Sequence, residues 1–201
     1  MVNKIDFRKF KFHPVIDLPK DYEVYDFTQG YDEKRVLKYP YGVGKYNEKR
    51  ANMYTADQYK EVSGQRDIHM GIDIAAPIGT AVHAFFDGEI FLTGYNSLPL
   101  DYGYTIITKH ILDGIDLYCL LGHLSKQSID GKLSGQKIEA GQILGWVGSK
   151  SENGGWNPHV HVQLSLEKPE KCDLPGVVAA EDLEHSLKIY PDPRNILGPL
   201  Y

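Results

Sequence analysis

Cysteine is nearly absent from the sequence, which contains only Cys119 and Cys172 among 201 residues. Two cysteines far apart in the chain cannot build a disulfide framework, and without a Cys-x-x-Cys pair the usual structural zinc motifs are excluded. Cys119 lies in the apolar run 117–121. We therefore expect its side chain to be a small buried hydrophobic group, and we assign no function to either cysteine.

Long apolar runs and clustered positive charge are also missing. No stretch approaches the roughly 18 consecutive apolar residues of a membrane-spanning helix. The net charge is −5, with acidic and basic residues interspersed, which argues against nucleic acid or an anionic membrane surface as a partner. Residues 1–20 lack the apolar region of a secretory signal. We therefore expect a cytoplasmic location for the chain as it stands, or export if a signal was removed; the oligomeric state stays open.

Short β-type runs separated by turn residues dominate the middle of the chain. A chain of 201 residues that is 42% hydrophobic can form one good core. The runs that we expect to be strands are 80–86, 88–95, 104–110, 116–124, a pair within 137–147, and 158–167. Because no helical pattern separates them, they predict an all-β, antiparallel, sandwich-like domain at residues 61–170.

The flanking segments differ from the middle of the chain in composition and periodicity. Residues 1–60 are rich in Tyr, Lys and Asp and contain turn signals such as those at 39–42. They predict an irregular N-terminal extension, with one or two short strands, that packs on the core. In the tail at 171–201, residues 179–189 predict one short helix with Leu183 and Leu187 on its apolar face.

The clearest strand, at residues 158–167, places two histidines on one face. Side chains alternate along a strand, so one face is apolar and consists of Val160, Val162, Leu164 and Leu166. His159 and His161 share the other face, roughly 6.5–7 Å apart at the backbone. This spacing suits two ligands of one metal ion, or one ligand beside a catalytic base, or two histidines on a solvated face. It does not choose between them.

His69 and Asp73 form a second candidate pair. Their even spacing places both side chains on one face if residues 69–73 form a strand, which the β-branched neighbours favour. Gly71 lies between them, and we expect its missing side chain to leave room for an ion. Imidazole nitrogen and carboxylate oxygen are ordinary zinc ligands. A third element is His123, at the end of an apolar run, where a histidine taken alone is more often structural.

The motifs follow one another in a specific order. They are H-x-G-x-D at 69–73, G-T-x-V at 79–82 with D-G at 87–88, G-H-L at 122–124, G-Q-x-x-G-x-x-G at 141–148, and H-x-H at 159–161. In this order they resemble the lysostaphin/LytM-type zinc metallopeptidases over about residues 64–166. The resemblance implies one Zn²⁺ per chain, bound by His69, Asp73 and His161. It also implies that His159 is the base that activates water and that His123 stabilises the oxyanion.

The resemblance further implies an antiparallel β fold whose site lies in a groove walled by loops. It implies a zinc-dependent metallo-endopeptidase that cuts peptide bonds, with cross-bridge or stem peptides of peptidoglycan as the expected substrate. The alternative is a metal-bearing β module that binds a small molecule or a partner chain, which would not need the base His159.

Other candidate residues carry weaker signals. Tyr95, Tyr102 and Tyr104 flank a loop that could wall the groove and supply a hydroxyl to the transition state. We expect His110 to be structural and His83 to be packed or to line the edge of the groove.

Overall fold

The computed structural model describes residues 5–32, 34, 36, 38–61 and 64–201. The strands of this part of the chain are β1 (Glu23–Val24), β2 (Gly42–Gly44), β3 (Lys60–Glu61), β4 (Gly64–Gln65), β5 (Ile68–His69), β6 (Ile72–Ala75), β7 (Ala81–His83), β8 (Gly88–Asn96), β9 (Gly103–Leu112), β10 (Ile115–Leu124), β11 (Lys137–Ile138), β12 (Ile143–Trp146), β13 (His159–Ser165) and β14 (Val177–Val178).

The helices in the described residues are short. They are α1 (Leu183–Ile189) and α2 (Arg194–Leu197), with 3₁₀ turns at Phe7–Lys9, Asp57–Tyr59, Lys126–Ile129 and Ala180–Asp182. The last of these turns leads directly into α1, as the helical pattern at 179–189 predicts. None of the helices in this part of the chain has the length and apolar character needed to cross a lipid bilayer.

Eight strands form one sheet in the order β1-β2-β6-β13-β10-β9-β8-β11. Every neighbouring pair is antiparallel except β1 and β2, which are parallel. Smaller two-stranded sheets pair β7 with β12, β5 with β14 and β3 with β4. The all-β antiparallel fold that the sequence predicts is therefore confirmed.

The two faces of the large sheet belong to different clusters of buried side chains. In β10, Leu117, Cys119 and Leu121 belong to the main core, whereas Tyr118 and Leu120 belong to a second cluster on the opposite face. The main core also contains side chains from β7 and β12, so that this pair covers the sheet as a second layer. Cys119 is fully buried, as predicted.

Residues from the N-terminal segment join both the sheet and the core. Strand β2 pairs with β6, and β1 pairs with β2, so that the segment extends one edge of the sheet. Its contributions to the main core are Ile5, Val15, Ile16 and Val43. The division of the chain at residues 60 and 170 stays a prediction. Residues 1–4, 33, 35, 37, 62 and 63 of the predicted segments lie outside the described residues.

Two details differ from the sequence pattern. Leu166 is 39% exposed and lies beyond the end of β13, whereas the supposedly polar face of this strand is buried, with His161 only 3% exposed. In α1 the buried side chains are Ser186 and Ile189, while Leu187 is 39% exposed. The carbonyl of Ile189 accepts a hydrogen bond from the N–H of Leu166, so docking at this end decides which face of the short helix is covered.

Candidate metal centre

Neighbouring strands of the large sheet place Asp73 and His161 side by side. Asp73 of β6 is the register partner of His161 of β13. On either side of this pair the next register partners are glycines, Gly44 of β2 and Gly122 of β10. Because residues in one cross-strand row share a face, both side chains project from the same face into space that no other member of the row occupies.

His69 reaches the same point from a different strand. Strand β5 ends at His69 and β6 begins at Ile72, so residues 69–73 are not one continuous strand as predicted; β5 pairs with β14 instead. Gly71 lies in this break, where a Cβ would meet the His161 ring atom Cε1 at 2.4 Å. The missing side chain of Gly71 therefore admits the His161 ring, and the expectation that it leaves room for an ion stays a prediction.

Three atoms from these residues converge on one point. The Nε2 atom of His69 is 3.1 Å from Nδ1 of His161 and 3.3 Å from Oδ1 of Asp73, and the last two atoms are 3.0 Å apart. Ligand atoms at 2.0–2.1 Å from a tetrahedral zinc ion are about 3.3 Å from one another. The triangle therefore fits one face of a zinc coordination tetrahedron, and these three residues form the one candidate metal cluster found among the described residues.

The outer nitrogen of each imidazole has an acceptor as its partner. The Nδ1 atom of His69 is 2.8 Å from the carbonyl oxygen of Lys45, and Nε2 of His161 is 3.0 Å from Oε1 of Gln163. These oxygens only accept hydrogen bonds, so each ring donates N–H on its outer side and turns a lone pair toward the triangle. The hydroxyl of Tyr102 also lies 3.4 Å from Nε2 of His161.

The electrostatics hold His69 and Asp73 in the protonation states that a metal ion requires. Burial, aided by the charge of Arg50, lowers the pKa of His69 to about 4. Burial opposes ionisation of Asp73, but attraction from His69 when that ring is protonated, and from Arg50, outweighs burial and holds the pKa of Asp73 well below its usual value. Since His69 is neutral at pH 7, the lasting positive charge is that of Arg50, whose Nη1 donates to Oδ2 of Asp73 at 2.7 Å.

Two further histidines face the cluster. The Nε2 atom of His159 is 3.7 Å from Oδ1 of Asp73, and the rings of His159 and His123 lie 4.2 Å apart between centroids. Both rings donate their Nδ1–H to backbone carbonyls, those of Asn157 and Asn153. Burial lowers the pKa of both histidines. At neutral pH each ring therefore has a free lone pair at Nε2.

The position of His123 depends on an irregularity in β10. Simple alternation after Gly122, which shares the face of the cluster, would turn His123 toward the main core. Instead, the register between β10 and β9 shifts between Leu121 and Leu124, and His123 has a φ of 63°. A bulge of this kind re-aims a side chain, and it brings the imidazole to the side of His159.

The cluster opens into a groove of about 1280 Å³. Its aromatic lining includes Phe27, Tyr31, Tyr54, Tyr59, Tyr102 and Trp156. Tyr102 thus lines the groove, whereas Tyr95 and Tyr104 stack on each other with ring centroids 4.4 Å apart and do not line it.

His83 and His110, the other two histidines with an expected position, lie away from the metal cluster. His110 is buried and bonded to Thr108 and to the carbonyl of Asp87, as its structural assignment predicts. His83 packs beside His13, with ring centroids 5.4 Å apart, and does not line the groove.

The sequence pattern missed several residues that contact the three ligands. Arg50 and the carbonyl of Lys45 come from the Tyr- and Lys-rich segment, which has no periodicity to distinguish them. Gln163 is different, because it shares its parity in β13 with His159 and His161. That parity was the one available signal that its amide lies beside the site.

Comparison with known proteins gives matches over the region that contains the cluster. The sequence model described as Peptidase family M23 matches residues 67–173, more than half of the chain. Peptidoglycan DD-endopeptidase ShyC of Vibrio cholerae is 28% identical over 57% of this chain and 25% of its own length. DD-carboxypeptidase/endopeptidase Mpg of Neisseria meningitidis is 36% identical over 49% of this chain and 20% of its own length.

Lysostaphin of Staphylococcus staphylolyticus is another relative, 33% identical over 48% of this chain and 18% of its own length. The chain thus spans a quarter or less of the length of these curated relatives. The matched region begins at residue 67, so Lys45, Arg50 and Tyr54 lie before it.

Proposed function

The chain belongs to peptidase family M23, and on that premise we propose that it is a zinc-dependent endopeptidase that hydrolyses peptide bonds in peptidoglycan. The family match confirms the resemblance to lysostaphin-type metallopeptidases that the order of the motifs indicates. The observation that carries the proposal is the triangle of ligand atoms, 3.0–3.3 Å on each side, with two more imidazoles beside it.

The donor set supports zinc as the metal. Two neutral imidazoles and one carboxylate leave a fourth position of the tetrahedron open, which is typical of a catalytic rather than a structural zinc site. Zinc bound there would polarise a substrate carbonyl and lower the pKa of water from about 15.7 to about 7. His69, Asp73 and His161 would hold the ion, and Tyr102 would close one side of the site.

His159 suits the task of general base. Its Nδ1–H is held by the carbonyl of Asn157, so its Nε2 lone pair faces the cluster and can accept the proton of the attacking water. As the peptide bond breaks, the same nitrogen can return that proton to the departing amine. Because burial lowers the pKa of His159, the ring is neutral and ready to accept a proton at neutral pH.

His123 can stabilise the oxyanion only in one protonation state. Its Nδ1–H donates to the carbonyl of Asn153, so the neutral ring has no second N–H to offer. The ring becomes a donor at Nε2 once a proton reaches it, and His159 is the adjacent group that can share one. We therefore propose that the two imidazoles act as a pair.

The groove favours a peptide of several residues as the substrate. It is larger than a single amino acid requires, and its aromatic walls would pack against an extended chain whose carbonyl lies at the cluster. ShyC is described as a peptidoglycan DD-endopeptidase and Mpg as a DD-carboxypeptidase/endopeptidase, which supports peptidoglycan as the source of that peptide. The alternative of a non-peptidase binding module is not favoured by these relatives.

The test is digestion of purified peptidoglycan by the zinc-loaded chain, with the fragments identified by mass spectrometry. We expect each cut to release one new amino group and one new carboxyl group, and their identity would distinguish cross-bridge from stem peptides. The matched control is His161→Ala, which should release no fragments. If the unmodified chain binds zinc but cuts neither peptidoglycan nor a peptide library, the result favours the alternative of a metal-bearing binding module.

A further inference from the structure

Arg50 is the most completely buried cation that contacts the metal cluster in the described residues. The residue is only 1% exposed, and its guanidinium contacts groups on several sides. Nη1 donates to Oδ2 of Asp73 at 2.7 Å and to the hydroxyl of Tyr54 at 3.0 Å. Nε donates to Oε2 of the buried Glu48 at 3.3 Å, and Nη2 approaches the carbonyl oxygen of Lys45 at 3.4 Å.

A buried guanidinium is not explained by stability alone. Removing two opposite charges from water costs several kcal/mol per ion, and well-packed apolar side chains often replace a buried ion pair at no loss of stability. Here the guanidinium of Arg50 donates to one particular oxygen of a ligand carboxylate, Oδ2 of Asp73. The ring of Phe27 lies below the guanidinium carbon at 5.0 Å and limits where the planar group can sit.

The contact with Arg50 gives the two carboxylate oxygens of Asp73 different partners. Oδ2 faces Arg50, and Oδ1 is thereby turned to within 3.0–3.3 Å of the two ring nitrogens. Without that contact, rotation about the Cβ–Cγ bond would exchange the oxygens or present both to the ion. Gly44 keeps space for the pair, because a Cβ at this position would lie 2.7 Å from Nη2 of Arg50.

We propose that Arg50 is a positioning residue that fixes the carboxylate of Asp73 for zinc through a single oxygen. The inference rests on the zinc site of the proposed function but adds a residue that lies before the matched family region. Segment 45–54 also supplies the Lys45 carbonyl that orients His69. Two of the three ligands are therefore oriented by residues of the N-terminal segment, which couples the docking of that segment to the affinity for zinc.

The test compares zinc affinity, by competition with a chromogenic chelator, with the melting temperature of the metal-free protein. Arg50→Lys keeps the positive charge but lacks the planar guanidinium with its fixed set of N–H donors. The double variant Glu48→Gln with Arg50→Met removes both charges and keeps the volume, so that Glu48 is not left as a buried ion without its partner. Lys49→Ala is the matched control, since this neighbouring side chain is 69% exposed.

We expect both Arg50 variants to bind zinc about 10–100-fold more weakly, as is typical when the partner of a metal ligand is lost. The control should bind zinc like the unmodified chain. A role confined to stability would lower the melting temperature without this loss of affinity. Affinities within about threefold of the unmodified chain, in a variant that is folded before metal is added, would overturn the inference.

The outcome is separable from that of the proposed function. Arg50 variants with full zinc affinity in a chain that cuts peptidoglycan would overturn only the positioning role. Weakened zinc binding in the variants of a chain that cuts no peptide would support the positioning role and contradict the peptidase activity. A chain without zinc affinity would overturn both.

Discussion

The Nε2 atom of His69 and the Nδ1 atom of His161 lie 3.1 Å apart, although their strands belong to different sheets. His69 ends β5, which pairs with β14, whereas His161 lies inside β13 of the large sheet. The rings meet edge to face, with centroids 4.9 Å apart. The metal cluster is therefore a junction between two sheets, and the break at residues 70–71 that separates β5 from β6 is what allows His69 to approach.

Zinc content tests the ligand set directly. His69 and Asp73 each supply one corner of the triangle, so His69→Ala or Asp73→Ala should reduce zinc from about one ion per chain to none. Elemental analysis after dialysis against zinc-free buffer measures this. His185→Ala is the control, because His185 is exposed and outside the groove. Stoichiometric zinc in both ligand variants would contradict the assignment of His69 and Asp73 as zinc ligands.

The variants His159→Ala and His161→Ala should differ in whether they lose zinc as well as hydrolysis. His159→Ala should keep zinc but slow hydrolysis roughly 10²–10⁴-fold, the usual effect of removing a general base. His161→Ala should lose zinc and hydrolysis together, because two remaining ligands hold the ion poorly. Zinc content and peptide hydrolysis are measured side by side. If His159→Ala loses zinc while His161→Ala retains it, the two roles are reversed.

His123→Ala should resemble His159→Ala, because losing an oxyanion donor costs about 10²–10³ in turnover while the three ligands remain. The ring contacts His159 but is absent from the triangle of ligand atoms. Full turnover in this variant, at unchanged zinc content, would remove His123 from the catalytic pair.

Gly71 offers a test of the packing around His161. Its backbone is not in the left-handed region, but an added Cβ would lie 2.4 Å from Cε1 and 2.5 Å from Nε2 of the His161 ring. Gly71→Ala should therefore displace that ring and weaken zinc binding at least tenfold, the lower end of the effects seen when a ligand loses its support. Chelator competition measures the affinity. Met70→Leu, a volume-conserving change at the adjacent buried residue, should leave it within about threefold.

Acid should destabilise the metal-free chain partly through His110. Burial lowers the pKa of His110 to about 4 from a value of 6.5 in the unfolded chain. Between these values the unfolded state binds a proton that the folded state does not, so stability falls as the pH drops from about 6.5 to about 4 and is unaffected by this group above 6.5. The contribution at pH 4.5 is on the order of 2–3 kcal/mol.

His110→Gln removes this titration, so the free energy of unfolding should depend less on pH than in the unmodified chain. Urea unfolding at pH 7.5 and pH 4.5 measures the difference, with metal-free protein so that zinc release does not contribute. His185→Gln is the control, because its side chain is exposed. An identical pH dependence in the unmodified chain and His110→Gln would contradict the prediction.

Local pattern was enough for the fold class and for the shared face of two of the candidate site histidines. Alternation along 158–167 predicted that His159 and His161 share a face, and the structure has them on one face of β13. The order of the motifs predicted the family, which the match over residues 67–173 confirms. These properties depend on residue types and on the period of two along a strand, which the sequence by itself determines.

Other features were decided only by the tertiary structure. The shift in register that turns His123 toward His159 depends on how β10 pairs with β9, and pairing is a property of two strands rather than one. Arg50 reaches Asp73 only because β2 docks beside β6 and carries the following segment over the site. The role of Gly71 depends on a ring 90 residues further along the chain. Long-range contacts of this kind produce no local periodicity in a sequence, so they can be identified only in the folded structure.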